Sequence, residues 1–172
     1  MSPLSPVPPP LRSKNRKGDL AEAAFVSRAL RMGFTICRPI NTNSRYDFVV
    51  EAAGKYNRIQ VKSIWSTGRK PYTVPVRSGP CLRRRYWAHE VDFFALYVPD
   101  HGAWYIVPIA EVGERFKIAV QPQTPGRGKF ERFREAWHLL LPRGVRIGDL
   151  KAMADPGYAG KAEEFQPSLT GL

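Results

Sequence analysis

An acid, an amide and an ammonium fall close together in an otherwise apolar stretch of this chain: Asp47, Gln60 and Lys62. Two β-rich runs, Tyr46–Val50 and Arg58–Ile64, flank Glu51–Lys55, a short connection containing glycine, which is the signature of a hairpin. Asp47 lies near the start of the first strand, and side-chain alternation puts Gln60 and Lys62 on one face of the second. Burying such groups unpaired is costly, so they either satisfy one another or share a ligand. A fourth polar group belongs with them. The run Asp19–Met32 predicts a helix, with Asp19 as N-cap and Gly33 as its stop. Phe25, Ala29, Val26, Leu30 and Ala23 then share one arc, and Glu22 falls inside it. Asp19-x-x-Glu22 also fits a capping box, which would place a carboxylate there without catalytic purpose. An acid on a core-facing stripe still needs a partner, and Lys62 or a metal would supply one.

Charge narrows the class. The 172 residues carry 27 Lys and Arg against 15 acids, a formal net charge of +12. A chain this basic associates with polyanions, nucleic acid first. Cys37 and Cys81 have no metal-ligand spacing and read as reduced thiols of a cytoplasmic protein. No apolar run approaches the length of a membrane span.

The remaining elements frame the hairpin. Met1–Leu11, with five prolines and no charged side chain, reads as an extended leader, and Arg12–Lys17 adds four cations. Phe34–Arg38 reads as a first strand. Trp65–Arg85 carries Arg69, Lys70, Arg77, Arg83, Arg84 and Arg85 with no acid, interleaved with aromatics. Together with Arg45, these are the candidate phosphate contacts. Within that run Tyr72–Val76 fits a strand, at an edge because of Pro71 and Pro75. Asp92–Val98 and Ala103–Val107 read as strands joined by the turn Pro99–Gly102, with a short helix from Pro108 to Val112. Phe130, Phe133, Trp137 and Leu140–Leu141 predict an amphipathic helix docked on the sheet. His89 and His101 read as ordinary surface residues. From about Ala152 the composition suggests a frayed tail.

Asp47…Gln60-x-Lys62 on a hairpin resembles the core of the PD-(D/E)XK nuclease superfamily. The wider run Lys17-Gly18-Asp19-Leu20-Ala21-Glu22, Arg45-Tyr46-Asp47 and Arg58-Ile59-Gln60-Val61-Lys62-Ser63 resembles its bacterial branch related to group I intron-encoded homing endonucleases, where the second acidic position is Gln. The resemblance implies a single α/β domain over residues 17–150, with a central mixed sheet flanked by helices in a restriction-endonuclease-like αβββαβ core. Residues 1–16 would form a leader and 151–172 a tail. It implies a metal-dependent DNA endonuclease using Mg²⁺ or Mn²⁺, with Asp47, Glu22 and Gln60 as metal ligands. Lys62 would orient or activate water and stabilise the transition state. Two departures from the commonest pattern stand out. Tyr46 replaces Pro before Asp47, at a position whose side chain need not face the site, and neutral Gln60 should weaken metal binding.

Cutting both strands of a duplex calls for a homo-oligomer, a dimer or tetramer. Two other readings fit the same residues: a DNA-binding module that keeps the fold without catalysis, and a structural protein in which Glu22, Asp47 and Lys62 only pair with one another. A junction-resolving or repair role also stays open.

Overall fold

The computed structural model describes residues 14–41, 43–65, 71–79, 81 and 83–154. Arg69 and Lys70, the leader before residue 14 and the tail beyond residue 154 lie outside them.

Helix α1 spans Lys14–Arg31. It begins five residues before the expected cap, so Asp19 is an interior residue and the capping box with Glu22 does not form. The buried stripe also differs from the expected arc. Ala21, Phe25 and Ala29 are buried at four-residue intervals, while Leu30 and Ala23 are exposed. The helix stops as foreseen at Gly33, whose φ is +87°. Phe34 N donates to Ala29 O at 3.2 Å and Gly33 N to Leu30 O at 3.0 Å, a Schellman closure. A Cβ on Gly33 would also meet the Leu150 backbone at 3.1 Å, so both φ and packing require glycine here.

Strands β1 (Thr35–Cys37), β2 (Phe48–Ala52), β3 (Lys55–Ser63), β5 (Phe93–Val98) and β6 (Ala103–Pro108) form one sheet in the order β1-β2-β3-β5-β6. Only the β3–β5 pairing is parallel, so the sheet is mixed. The hairpin between β2 and β3 closes through Ala53 and Gly54, both at positive φ, as a two-residue loop of this kind requires. The αβββαβ order expects a helix in the crossover from β3 to β5. The described residues there hold instead β4 (Tyr72–Pro75) and irregular chain. β4 pairs only with β7 (Lys117–Val120), a strand the sequence reading did not assign, so Pro75 sits in a two-stranded ribbon where it is tolerated.

Each face of the sheet has its own core. On one, Phe25 packs against Phe48, Trp104 and Trp137 with ring centroids 5.5–5.7 Å apart. On the other, the β4–β7 ribbon covers Phe94, Leu96, Tyr105 and Val107. The helix expected over Phe130–Leu141 is absent. Two 3-10 turns, Glu131–Phe133 and Trp137–Leu140, stand there, separated by Glu135 at φ +48°. The reason is that this segment passes around the sheet edge. Phe130 and Phe133 enter one core, and Trp137 and Leu140 enter the other. At the crossing, Glu135 N donates to Trp104 O at 2.8 Å, and its Oε1 accepts from Trp104 N at 2.9 Å. These bonds cover part of the β6 edge. The hairpin then grips the segment: Asn57 Nδ2 donates to Leu140 O and Lys55 Nζ to Leu139 O, at 2.8 and 3.0 Å. Helix α2 (Ile109–Val112) is the expected short one. Helix α3 (Ile147–Ala154) was not foreseen, and Leu150 on it packs at Gly33. Both cysteines are free and exposed.

The parallel register is fixed by one ion pair. Arg58 on β3 donates to Asp92 Oδ2 through Nε (3.0 Å) and backbone N (2.7 Å), and to Oδ1 through a terminal nitrogen (2.8 Å). Burial pushes the Asp92 carboxyl up, but the hydrogen bonds and charge of Arg58 outweigh it and hold the group below its usual range. Asp92→Ala should therefore cost roughly 2 kcal/mol, the usual scale for charge-assisted bonds. A folded pKa below the unfolded one gives stability above the ordinary carboxylate range and loses it as pH falls. Denaturant unfolding of both proteins should show the difference shrinking below about pH 4. A difference constant across the acid range would refute this role for the carboxylate.

Candidate active site

The last β2–β3 pair at the open end is Phe48↔Ile59, so the next inward amide of β3, Val61 N–H, lacks a strand partner on that side. Asp47, one residue before β2, supplies one. Its backbone N donates to Ile59 O at 2.9 Å, and its Oδ2 accepts from Val61 N at 2.7 Å. The same oxygen accepts from Gln60 Nε2 at 2.5 Å. Oδ2 is thereby saturated, and Oδ1 receives no hydrogen bond among the described residues. Gln60 is only 8 % exposed, and its amide nitrogen is spent on Asp47 and on Val61 O, which leaves its carbonyl oxygen as a donor atom for a ligand.

Gln60 and Lys62 do share a face, opposite Phe94 and Leu96 of β5. Lys62 Nζ lies 5.6 Å from the centroid of the Tyr86 ring, and its charge acts on Asp47. Glu22 comes from α1, half-buried, with Arg38 bound to its carboxylate. Glu22 and Asp47 line one open cleft of about 370 Å³, together with Arg38, Pro39, Ile40, Asn41, Ser44 and Tyr46. The structure thus joins all four sequence-predicted site residues: two acids in the cleft, Gln60 bonded to one of them, and Lys62 within electrostatic reach.

Tyr46, whose side chain the sequence did not require to face the site, lines the cleft. Regular β2 begins only at Phe48, so strict alternation does not extend back to residues 46 and 47. Arg38 is a cleft residue that no motif signalled. It merely ends the run read as the first strand.

The two acids are poorly compensated. Burial raises the Asp47 pKa, and the Val61 amide, Lys62, Gln60 and Arg38 do not fully offset it. Burial also raises Glu22, and the Asp47 charge adds to it, with Arg38 opposing. Among the described residues no group of three or more His, Cys, Asp or Glu is arranged for a metal ion. Two carboxylates and an amide oxygen nevertheless suit a hard cation such as Mg²⁺ or Mn²⁺, which commonly takes one or two carboxylates and completes its shell with water and phosphate oxygens. The donor set fits such a group, and the raised acids mark where its charge would be stabilised.

The candidate phosphate contacts divide. Arg45 is turned inward: it donates to Glu90 at 3.2 Å, Ser78 Oγ at 2.6 Å and Arg85 O at 2.9 Å, and stacks 4.2 Å over Tyr86. Arg77 lies 3.6 Å over Phe116 and donates to Glu114 O, while Arg85 pairs with Glu114 and lies 4.1 Å over Trp87. Arg83 and Arg84 are exposed, Arg84 only 3.7 Å from Glu90. The basic run that lacked counter-acids in sequence draws them from Glu90 and Glu114.

The candidate site is thus a hairpin-borne carboxylate, amide and lysine beside a helix-borne glutamate on a mixed sheet. The family model described as PD-(D/E)XK endonuclease matches residues 12–140, and the chain belongs to that family. Its fold is similar to that of a bacterial homing endonuclease, I-Ssp6803I, with 30% identity, a TM-score of 0.65, and coverage of 74% of this chain and 92% of that one. Protein 5.3 of Escherichia phage T7 is 26% identical over 91 residues, 52% of this chain and 77% of that protein. A Holliday junction resolvase, Hjc of Archaeoglobus fulgidus, aligns at 21% identity and a TM-score of 0.42 over 60% of this chain and 84% of its own, too slight a likeness to build on.

Because its ionised form is disfavoured by burial, Asp47 should cost the metal-free protein stability at neutral pH. Asp47→Asn keeps an acceptor for Val61 and Gln60 while removing the charge. Chemical unfolding in chelator at pH 7 should show the variant at least as stable as wild type. A clear destabilisation would mean that the charge is satisfied within the protein.

Proposed function

We propose that this protein is a divalent-metal-dependent DNA endonuclease of the homing-endonuclease-like kind, hydrolysing phosphodiester bonds. The observation that carries the reading is the convergence of Asp47 and Glu22 on one cleft with Lys62 acting on Asp47. Hydrolysis of a phosphodiester needs a positioned water, charge stabilisation at phosphorus and help for the leaving oxygen. A bound Mg²⁺ or Mn²⁺ would supply Lewis-acid polarisation and a more acidic water. Asp47, through Oδ1, Glu22 and the Gln60 carbonyl would hold it. Asp47 stays fixed because β3 saturates its other oxygen. Lys62, its ammonium placed against Tyr86, stabilises charge at the phosphoryl oxygens and orients the attacking water.

DNA as substrate is supported by the net charge of +12 and by exposed Arg83 and Arg84 near the loop that carries Tyr86. The likeness to the homing endonuclease I-Ssp6803I supports the finer assignment. Arg69 and Lys70 remain candidate phosphate contacts; Arg77 and Arg85 would reach DNA only by leaving their pairs with the Glu114 segment, and Arg45 acts by holding the loop of Arg85 and Tyr86 in place. Two active sites are needed to cut two strands, so the working form is a dimer or tetramer, and a cytoplasmic location follows from access to DNA. No helix among the described residues is long and apolar enough to cross a membrane.

Supercoiled plasmid and branched DNA, incubated with Mg²⁺, Mn²⁺ or chelator, test the reading. Wild type should nick or linearise DNA only with metal. Asp47→Ala should abolish cleavage while DNA affinity stays within a few-fold, since removing an anion does not weaken phosphate contacts. Cleavage that survives in chelator, or in purified Asp47→Ala, would overturn the assignment.

A further inference from the structure

The guanidinium in the cleft is not explained by folding. Arg38 follows β1, its side chain is 66% exposed, and among the described residues it pairs with the Glu22 carboxylate and lies 5.3 Å from the centroid of the Phe48 ring. It lines the same cleft as Asp47 and Glu22. An ion pair this exposed contributes about 0–1 kcal/mol, so it neither holds the fold together nor resists exchange.

We propose that Arg38 is a further catalytic residue: its guanidinium neutralises Glu22 in the free enzyme and passes to a non-bridging oxygen of the scissile phosphate when divalent metal and DNA occupy the cleft. The inference rests on the nuclease reading and specifies what one more residue does within it.

Three features lead to this role. The first is position, since Arg38 shares the cleft walls with both acids and so stands where a phosphate held at those acids would lie. The second is competition. Glu22 cannot serve Arg38 and a cation fully at once, and a cation held between Glu22 and Asp47 would engage both carboxylates, whereas Arg38 binds one. The third is chemistry. A planar guanidinium binds two phosphate oxygens at once, and it stays charged at any working pH. Lys62, on β3, has its Nζ 5.6 Å from the Tyr86 ring centroid, whereas Arg38 enters the cleft from the chain after β1. With Gln60 neutral, the site carries less negative charge than a three-acid site would, so a released arginine would turn towards the phosphate rather than back to a third carboxylate.

Arg38→Ala and Arg38→Lys test the exchange with two separate readouts. In calorimetric titration of Mn²⁺ into DNA-free protein, Arg38→Ala should bind the metal several-fold more tightly than wild type, because the competing cation is gone. In single-turnover plasmid cleavage its rate should fall about 10²-fold, the scale for losing one transition-state donor. DNA affinity should change no more than about three-fold, and Arg38→Lys should recover part of the rate. Thermal melts confirm folding, which an exposed side chain affects little. Unchanged metal affinity, an unchanged rate, or a rate loss matched by lost DNA affinity would each overturn the proposal. An inactive wild type would instead sink the nuclease reading itself, and an active wild type with an equally active Arg38→Ala would sink this proposal alone.

Discussion

The site depends on one carboxylate oxygen. Where β2 runs out, Asp47 Oδ2 accepts from the Val61 amide and from the Gln60 side chain, completing the β3 ladder with a side chain. This fixes Asp47 to within hydrogen-bond geometry, leaves Oδ1 without a hydrogen bond among the described residues and sets the Gln60 amide so that its carbonyl is available. It also buries a charge near another carboxylate, Glu22; burial pushes both acids up, and Lys62 and Arg38 offset it only in part. Clefts where burial disfavours the ionised form of neighbouring acids are common places for functional sites.

Everything else holds that oxygen in place. The aromatic cluster of Phe25, Phe48, Trp104 and Trp137 sets α1 on the sheet and so brings Glu22, one residue beyond buried Ala21, to the cleft. Arg58 and Asp92 lock β3 to β5, which keeps Gln60 and Lys62 on the face opposite α1. Arg45 gathers Glu90, Ser78 and the Arg85 carbonyl and stacks on Tyr86, and Tyr86 in turn receives Lys62. A chain of contacts therefore runs from a loop outside the sheet to the lysine of the site.

The hairpin and its three polar residues were legible because strand alternation is local and rigid; nothing distant could move Gln60 and Lys62 to different faces. Glu22 was legible for its presence on an apolar stripe, although the stripe itself was misplaced. The buried one keeps Phe25 and Ala29 of the expected arc and adds Ala21, a small residue that a hydrophobicity pattern undervalues. What failed was long-range. Apolar spacing from Phe130 to Leu141 mimics one helix face, but those residues feed two cores on opposite sides of a sheet edge, and only the tertiary path shows it. The basic run after Trp65 seemed free of acids because Glu90 and Glu114 come from later in the chain. Arg38 and Tyr46 were not placed in the cleft from the sequence because loop geometry, which no period encodes, puts them there.

On the proposed function, Asp47 and Glu22 would hold a divalent cation. Equilibrium unfolding of wild type at neutral pH, in chelator and at rising Mn²⁺, tests it most directly. Stability should climb as RT ln(1 + [Mn²⁺]/Kd), about 2.7 kcal/mol at a hundred times Kd, and Asp47→Ala should show no such climb. Stability independent of metal in wild type, or an equal rise in both proteins, would contradict the account.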